Sequence, residues 1–136
     1  MLVFAASFLL LCNPLQAKLI TINAADFGLK PGEDAVPGLR RALQACRQAA
    51  KVRLIFPPGR YDFYPQFATA KFFAISNNDN GYKRMAFPLL DFNNLEIDGG
   101  GADFIFHGRI VPFVIEGSSN LKIHNFSIDW QRPLQQ

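Results

Sequence analysis

An internal repeat constrains this chain more than any other feature. The segment Asn93-Asn94-Leu95-Glu96-Ile97-Asp98 recurs farther along the chain as Ser119-Asn120-Leu121-Lys122-Ile123-His124. Each copy follows an apolar segment, and Pro88 aligns with Pro112 if Gly117-Ser118 is treated as a two-residue insertion. A period between about 20 and 50 residues, as here, is typical of stacked-repeat proteins, in which each repeat contacts its neighbours. The repeat therefore predicts that function lies on an outer face of stacked elements.

Strand-like runs separated by Gly and Asn turns follow Ala86, with no helical pattern between them. Parallel strands normally need helical crossovers, except in a β-helix, where each coil pairs with the next. We therefore predict an all-β parallel β-helix that stacks Leu95 on Leu121 and Ile97 on Ile123, with an amide ladder from Asn94 to Asn120. A Greek-key sandwich would also give short strands, but it does not favour a repeat in this register. The predicted strands are 87–92, 95–98, 103–107, 113–116, 121–124 and 126–129.

The first half of the mature chain predicts one helix between short strands. Residues 18–23, 52–56 and 60–64 read as strands, and residues 65–85 read as a long loop with polar turn residues. A helix of about four turns is predicted from Ala35 to Ala50, where it would cap the N-terminal end of the coils. Its apolar stripe predicts a buried Cys46 that acts as a small hydrophobe. The stripe consists of Val36, Leu39, Leu43, Cys46 and Ala50.

The N-terminal segment, residues 1–17, differs from the remainder of the chain. It carries no charge, contains the apolar run Leu9-Leu10-Leu11 and ends with Leu15-Gln16-Ala17. This pattern predicts a secretory signal peptide over residues 1–17 and a mature domain over residues 18–136. We expect a secreted or periplasmic bacterial protein that is not bound to a membrane after signal removal. The net charge of +3 is spread along the chain, so nucleic acid is not an expected partner.

Two sets of motifs resemble known families. Asp26-Phe27-Gly28, the helix and Phe56-Pro57-Pro58-Gly59-Arg60-Tyr61 resemble the start of the pectate-lyase-like proteins, which implies a right-handed parallel β-helix. The segments 87–92, 97–101, 104–109 and 125–130 resemble glycoside hydrolase family 110, the secreted bacterial exo-α-1,3-galactosidases. This resemblance covers about residues 20–133 and the N-terminal part of such an enzyme. It implies that the coils continue beyond Gln136 and that the catalytic carboxylates lie there, so the fragment alone is expected to be inactive.

Asp129, Trp130 and Arg132 are the predicted substrate-binding residues. An aromatic ring offers a stacking face to a sugar, and an Arg offers fixed donors to hydroxyl groups. The competing interpretation is that Trp130 packs on the solenoid and Arg132 pairs with a carboxylate. An inverting glycosidase needs two carboxyl groups roughly 6.5–9.5 Å apart. The acidic candidates are Asp91, Asp98, Asp103, Glu116 and Asp129, of which Asp98 is predicted to stabilise the Gly-rich turn.

Neither a metal nor an organic cofactor is expected. His107 and His124 have no metal-ligand spacing with each other or with a cysteine, and His107 is expected to be a hydrogen-bonded structural residue. The chain also has no compact oxygen-ligand run like that of an EF-hand. Gly99-Gly100-Gly101 is not followed by a helix, so it is not expected to bind phosphate.

The sequence thus predicts part of an inverting glycosidase that removes terminal α-1,3-linked galactose from glycans. Two alternatives remain open at this stage. One is a calcium-dependent polysaccharide lyase on the same fold, which the positive net charge would suit. The other is a β-helix that binds carbohydrate without catalysis.

Overall fold

The computed structural model describes residues 17–74 and 80–132, and most of these residues lie in strands. The predicted all-β class with one α-helix is confirmed. Within the predicted signal peptide, positions 1–16 lie outside the described part. The helix is α1 (Val36–Cys46), and two 3-10 turns span Ala24–Phe27 and Pro65–Phe67. The strands are β1 (Ile20–Asn23), β2 (Val52–Ile55), β3 (Arg60–Phe63), β4 (Thr69–Phe73), β5 (Gly81–Leu90), β6 (Asn93–Phe106), β7 (Val111–Glu116) and β8 (Ser119–Trp130).

The larger sheet has five strands, and all its pairs are parallel. Its order is β1-β2-β6-β3, and β8 pairs with the long strand β6. The first part of β6 pairs with β2, and its last part pairs with β3. The offset, meaning the number of positions in the sequence between two paired residues, is the same in both places, as in Val52↔Leu95 and Phe63↔Phe106. One strand of this sheet therefore holds two earlier strands in a common register.

The register between β6 and β8 confirms most of the predicted repeat. Leu95 lies beside Leu121, and Ile97 lies beside Ile123. The Asn120 Nδ2 atom donates a hydrogen bond to Asn94 Oδ1 at 2.6 Å, which is the predicted amide ladder. Both residues have left-handed backbone, with φ of 57° and 54° respectively for Asn94 and Asn120. The repeat therefore corresponds to direct stacking of strands.

The predicted alignment of Pro88 with Pro112 is wrong. Pro88 pairs with Val114, so β5 and β7 keep the same offset along the chain as the start of β6 and β8. The two-residue adjustment occurs instead between Asp98 and Ala102, after which the offset is shorter by two positions, as in Ala102↔Phe126. Three consecutive glycines allow the bulge at this point, because the backbone turns through positive φ at Gly100 and Gly101.

The second sheet corrects the prediction of a loop over residues 65–85. Strand β4 pairs antiparallel with β5, from Thr69↔Met85 to Phe73↔Gly81, and β5 pairs in parallel with β7. The aromatic pair Phe72–Tyr82 lies across the hairpin with ring centroids 5.7 Å apart. Such cross-strand aromatic pairs stabilise strands, and the polar turn residues masked this signal in the sequence. Residues 75–79 of the predicted loop lie outside the described part.

Helix α1 is shorter than predicted but presents the predicted face. The Asp34 carboxylate accepts a hydrogen bond from the Val36 amide at 3.0 Å, which stabilises the start of the helix. Ala50, predicted to be part of the stripe, is exposed because the helix ends at Cys46 and the chain turns toward β2. The helix packs against β1, β2 and β5. Its buried apolar residues are Val36, Leu39, Ala42, Leu43 and Cys46.

The core is rich in aromatic side chains. Phe63 packs between Phe87, at a centroid distance of 5.3 Å, and Phe106, at 5.0 Å. Cys46 is 1% exposed, and burial raises the pKa of its thiol to about 11, which confirms the prediction of a buried small hydrophobe. Of the helices that the structure describes, none has the length and apolar character to cross a bilayer. The fully buried aromatic residues are Tyr61, Phe63, Phe87, Phe104 and Phe106.

Candidate functional site

The three predicted sugar-binding residues lie at the end of β8, but they do not form one surface. Trp130 is on the inward side, in a row with Phe63 and Phe106, and its ring centroid is 5.6 Å from that of Phe106. Asp129 is exposed and accepts a hydrogen bond from the Trp130 amide at 2.8 Å. Arg132 is exposed in the bend that follows. The position of Trp130 favours the packing interpretation, and the sugar-binding roles of all three stay predictions.

A polar cluster lies beside this strand end. The Asp62 cluster consists of Arg60, Asp62, Tyr64, His107 and Gln131. Arg60 donates to Asp62 Oδ1 at 2.9 Å and to Gln131 Oε1 at 2.6 Å, so one guanidinium joins β3 to the residue that follows β8. His107 Nε2 lies 2.7 Å from Asp62 Oδ1, and the His107 ring stacks on Tyr64 at a centroid distance of 4.0 Å. The expected hydrogen-bonded role of His107 is confirmed.

The charge of Asp62 is fixed by its partners. Asp62 is 7% exposed. Burial alone would raise the pKa of this carboxyl, but the hydrogen bonds from Arg60 and His107 outweigh it and lower the pKa below the usual value. An ionised Asp62 accepts hydrogen bonds only, so His107 donates from Nε2. The Asp62 cluster therefore ties three strands together by charge-assisted hydrogen bonds.

No sequence pattern predicted that Arg60 and Asp62 belong to a polar cluster. They are two residues apart in a strand and therefore share a face, and that spacing is visible in the sequence. Their partners His107 and Gln131 follow much later in the chain, and the pairing of β3 with β6 and of β6 with β8 brings them near. The missing signal was thus the tertiary pairing and not the residue types.

A second polar cluster covers the outer face of the larger sheet. The Glu96 cluster consists of Arg53, Glu96, Asp98, Lys122 and His124. Parallel pairing places Glu96 between Arg53 and Lys122, and Asp98 beside His124. Arg53 Nη2 lies 2.6 Å from Asp98 Oδ2, and His124 Nε2 lies 2.8 Å from Glu96 Oε1. Opposite charges on neighbouring strands therefore face each other along one register.

Asp98 confirms its predicted structural role. Its carboxylate accepts hydrogen bonds from the Gly100 amide at 3.0 Å and from Asn125 Nδ2 at 3.1 Å. These two hydrogen bonds, together with the one from Arg53, lower the pKa of Asp98 to about 2. A general acid in a glycosidase needs a raised pKa, so Asp98 is suited to hold the turn and not to donate a proton.

The remaining acidic candidates are dispersed. Asp91 is exposed in a turn with φ of 56°. Asp103 accepts a hydrogen bond from Ser127 Oγ at 2.5 Å, and Glu116 Oε1 lies 3.1 Å from Lys71 Nζ. Within residues 17–74 and 80–132, no group of three or more His, Cys, Asp or Glu side chains is arranged to hold a metal ion. The structure therefore gives Asp103 and Glu116 local structural partners.

Several curated proteins that resemble this chain are named alpha-1,3-galactosidase. Alpha-1,3-galactosidase A of Shewanella woodyi is 49% identical over 114 residues, which is 82% of this chain and 19% of that protein. Alpha-1,3-galactosidase B of Bacteroides thetaiotaomicron is 44% identical over 132 residues, which is 94% of this chain and 21% of that protein. Alpha-1,3-galactosidase B of Phocaeicola vulgatus is 39% identical over 139 residues, which is 97% of this chain and 23% of that protein.

Over most of its length the chain is thus similar to curated proteins named alpha-1,3-galactosidase. The predicted resemblance to α-1,3-galactosidases is confirmed. The chain spans about a fifth of the length of the curated relatives that it matches. No family model matches the chain.

Proposed function

We propose that this chain is part of a secreted glycoside hydrolase that removes terminal α-1,3-linked galactose from glycans with inversion. The observation that carries the proposal is the 49% identity over 114 residues with a protein named alpha-1,3-galactosidase A. The catalytic carboxylates are expected beyond Gln136. Three of the described carboxylates, those of Asp62, Asp98 and Glu116, already pair with basic side chains, which supports this expectation.

We also propose that the two sheets wind as the first coils of a right-handed parallel β-helix, with α1 as the N-terminal cap. The constant offsets support this winding. The pairing of β5 with β7 and the first half of the pairing of β6 with β8 share one offset along the chain, as one coil stacked on the next would give. Paired residues of β2 and β6 are farther apart in the sequence than those of β6 and β8. The hairpin formed by β4 and the start of β5 is inserted between β2 and β6 and accounts for the extra residues.

The test of the function is an assay of the full-length protein, including the residues that the proposal places beyond Gln136, on an oligosaccharide with a terminal α-1,3-linked galactose. Release of galactose is expected, and proton NMR should show the β-anomer first, because inversion places the attacking water on the opposite face of the ring. A matched oligosaccharide with a terminal β-linked galactose is the control. Release of the α-anomer first would contradict inversion, and an inert protein, with the relatives active in parallel, would contradict the function.

Two of the predicted substrate-binding residues are tested by Asp129→Ala and Arg132→Ala. Both residues are exposed, so substitution should leave the fold intact. If they contact the sugar, each variant should raise KM about tenfold, since a hydrogen bond to a charged group contributes roughly 1.5–3 kcal/mol. Ser127→Ala, two residues away on the same strand, is the control and should leave KM unchanged. Equal kinetic constants in all variants would remove Asp129 and Arg132 from the site.

A further inference from the structure

The β4–β5 hairpin presents aromatic side chains to solvent. Phe72 and Tyr82 face each other across the hairpin and are 55% and 78% exposed respectively. Phe67, in the preceding 3-10 turn, is 51% exposed. Single exposed apolar residues are common on protein surfaces. Three large exposed aromatic side chains on the 3-10 turn and the hairpin that follows it indicate a surface that contacts another molecule.

Basic residues lie beside one of these rings, that of Tyr82. A surface depression of about 440 Å³ is lined by Tyr82, Lys83, Arg84 and Arg109, together with Ile110 and Val111. Its described lining contains no acidic residue, and strand alternation places Tyr82 and Arg84 on one face of the hairpin and the Lys83 side chain on the other. On the other face of the hairpin, Lys71 stands directly opposite Lys83, an arrangement that destabilises a strand pair. The Glu116 carboxylate offsets Lys71 at 3.1 Å, which leaves an excess of positive charge.

The depression is held in place by backbone contacts. Arg84 Nη1 donates to the carbonyl oxygens of Pro65 at 3.0 Å and Gln66 at 3.5 Å. The Phe67 carbonyl accepts a hydrogen bond from Arg40 in α1, which ties the 3-10 turn to the helix. A guanidinium that is already oriented loses less conformational freedom when it binds a ligand.

We propose that this surface binds an acidic sugar residue of a polysaccharide. The sugar ring stacks on Tyr82, because the apolar face of a pyranose packs on an aromatic ring. The carboxylate or sulfate of the sugar pairs with Arg84 and Arg109, whose planar guanidinium groups match such oxyanions. This binding does not require the hydrolase activity proposed above.

The test measures the affinity of the purified protein for a carboxylated, a sulfated and a neutral probe: oligogalacturonate, dextran sulfate and a neutral galactan. Binding to at least one acidic probe and weaker binding to the galactan are expected, and the two acidic probes distinguish carboxylate from sulfate. Tyr82→Ala should weaken binding about tenfold, whereas Tyr82→Phe keeps the ring and most of the affinity. Arg109→Gln should weaken binding by a similar factor, and Lys30→Ala, an exposed lysine in the turn before α1, should not.

Three outcomes would overturn the proposal. One is equal affinity for the neutral galactan and the acidic probes. Another is unchanged affinity in Tyr82→Ala and Arg109→Gln, with melting temperatures that show both variants to be folded. The third is tighter binding to single-stranded DNA than to either acidic polysaccharide, since stacking aromatics with cations also suit nucleic acid. Activity on a small α-1,3-galactoside is measured in parallel, so loss of the hydrolase would be recognised separately.

Discussion

At the scale of single residues, two asparagines stabilise the corner between stacked strands. Asn94 and Asn120 adopt left-handed backbone, with φ of 57° and 54°. Asn94 Nδ2 donates to the Ala50 carbonyl at 3.3 Å, and Asn94 Oδ1 accepts from Asn120 Nδ2 at 2.6 Å. The amide group of Asn94 thus links three successive parts of the chain, and asparagine tolerates this backbone conformation better than other non-glycine residues.

Replacing Asn94 tests the contributions of its hydrogen bonds and of its left-handed backbone to stability. Asn94→Ala should lower the free energy of unfolding by about 2–3 kcal/mol, because it strains the backbone and removes two hydrogen bonds. Asn94→Gly removes the same hydrogen bonds without the strain, so the loss should be about 1 kcal/mol smaller. Urea unfolding measures both changes. Equal losses for the two variants would show that backbone conformation contributes nothing at this corner.

At the scale of elements, the glycine bulge in β6 lets one long strand serve two partners. Before the bulge β6 pairs with β2, and after it β6 pairs with β3. Gly100 lies against the Phe56 carbonyl, so close that an added Cβ would collide with that oxygen. The bulge therefore packs against the residue that follows β2. It also shifts the register between β6 and β8 by two residues.

Two neighbouring glycines give a matched comparison. Gly100→Ala should lower the free energy of unfolding by about 3 kcal/mol or more, because the methyl group meets fixed backbone in addition to the strain of positive φ. Gly101→Ala has a similar backbone conformation, with φ of 76°, but no atom lies within 4 Å of the added Cβ. Its cost should be about 1–2 kcal/mol, from strain alone. Thermal and urea unfolding measure the loss of stability in both variants. Equal losses for Gly100→Ala and Gly101→Ala would show that the contact with Phe56 is unimportant.

At the scale of the whole molecule, ionised carboxylates make stability depend on acidity. The pKa of Asp98 is lowered to about 2 and that of Asp62 is also lowered, so both groups favour the folded state when ionised. Their contribution is complete above the unfolded pKa of about 4. It is lost as the pH falls through the lower folded values, so acidification should destabilise the protein.

The measurement is the free energy of unfolding between about pH 5 and pH 2, the interval over which the two carboxyl groups take up protons. Stability should fall across this interval, and Asp98→Asn should reduce the slope while lowering stability at pH 5. Asp26→Asn, an exposed carboxylate in the first 3-10 turn, is the control for the substitution itself. A slope that Asp98→Asn leaves unchanged would show that this carboxyl does not couple folding to protons.

The sequence determined the features that depend on local pattern. The internal repeat set the stacking of Leu95 on Leu121 and of Asn94 on Asn120, because a repeat whose period equals one stacked layer places like residues over like. The apolar stripe set the buried face of α1 for the same reason of periodicity. The sequence also determined the similarity to proteins named alpha-1,3-galactosidase.

Tertiary structure decided which side chains meet across distant strands. Trp130 lies beside Phe106 because the two-residue shift occurs at the glycine bulge, whereas an insertion at Gly117-Ser118 would have placed it beside Phe104. Asp62 is buried against His107 because β3 pairs with β6, a contact 45 residues apart in the chain. Alternation within a strand fixes which residues share a face, but the pairing between strands fixes what that face contacts.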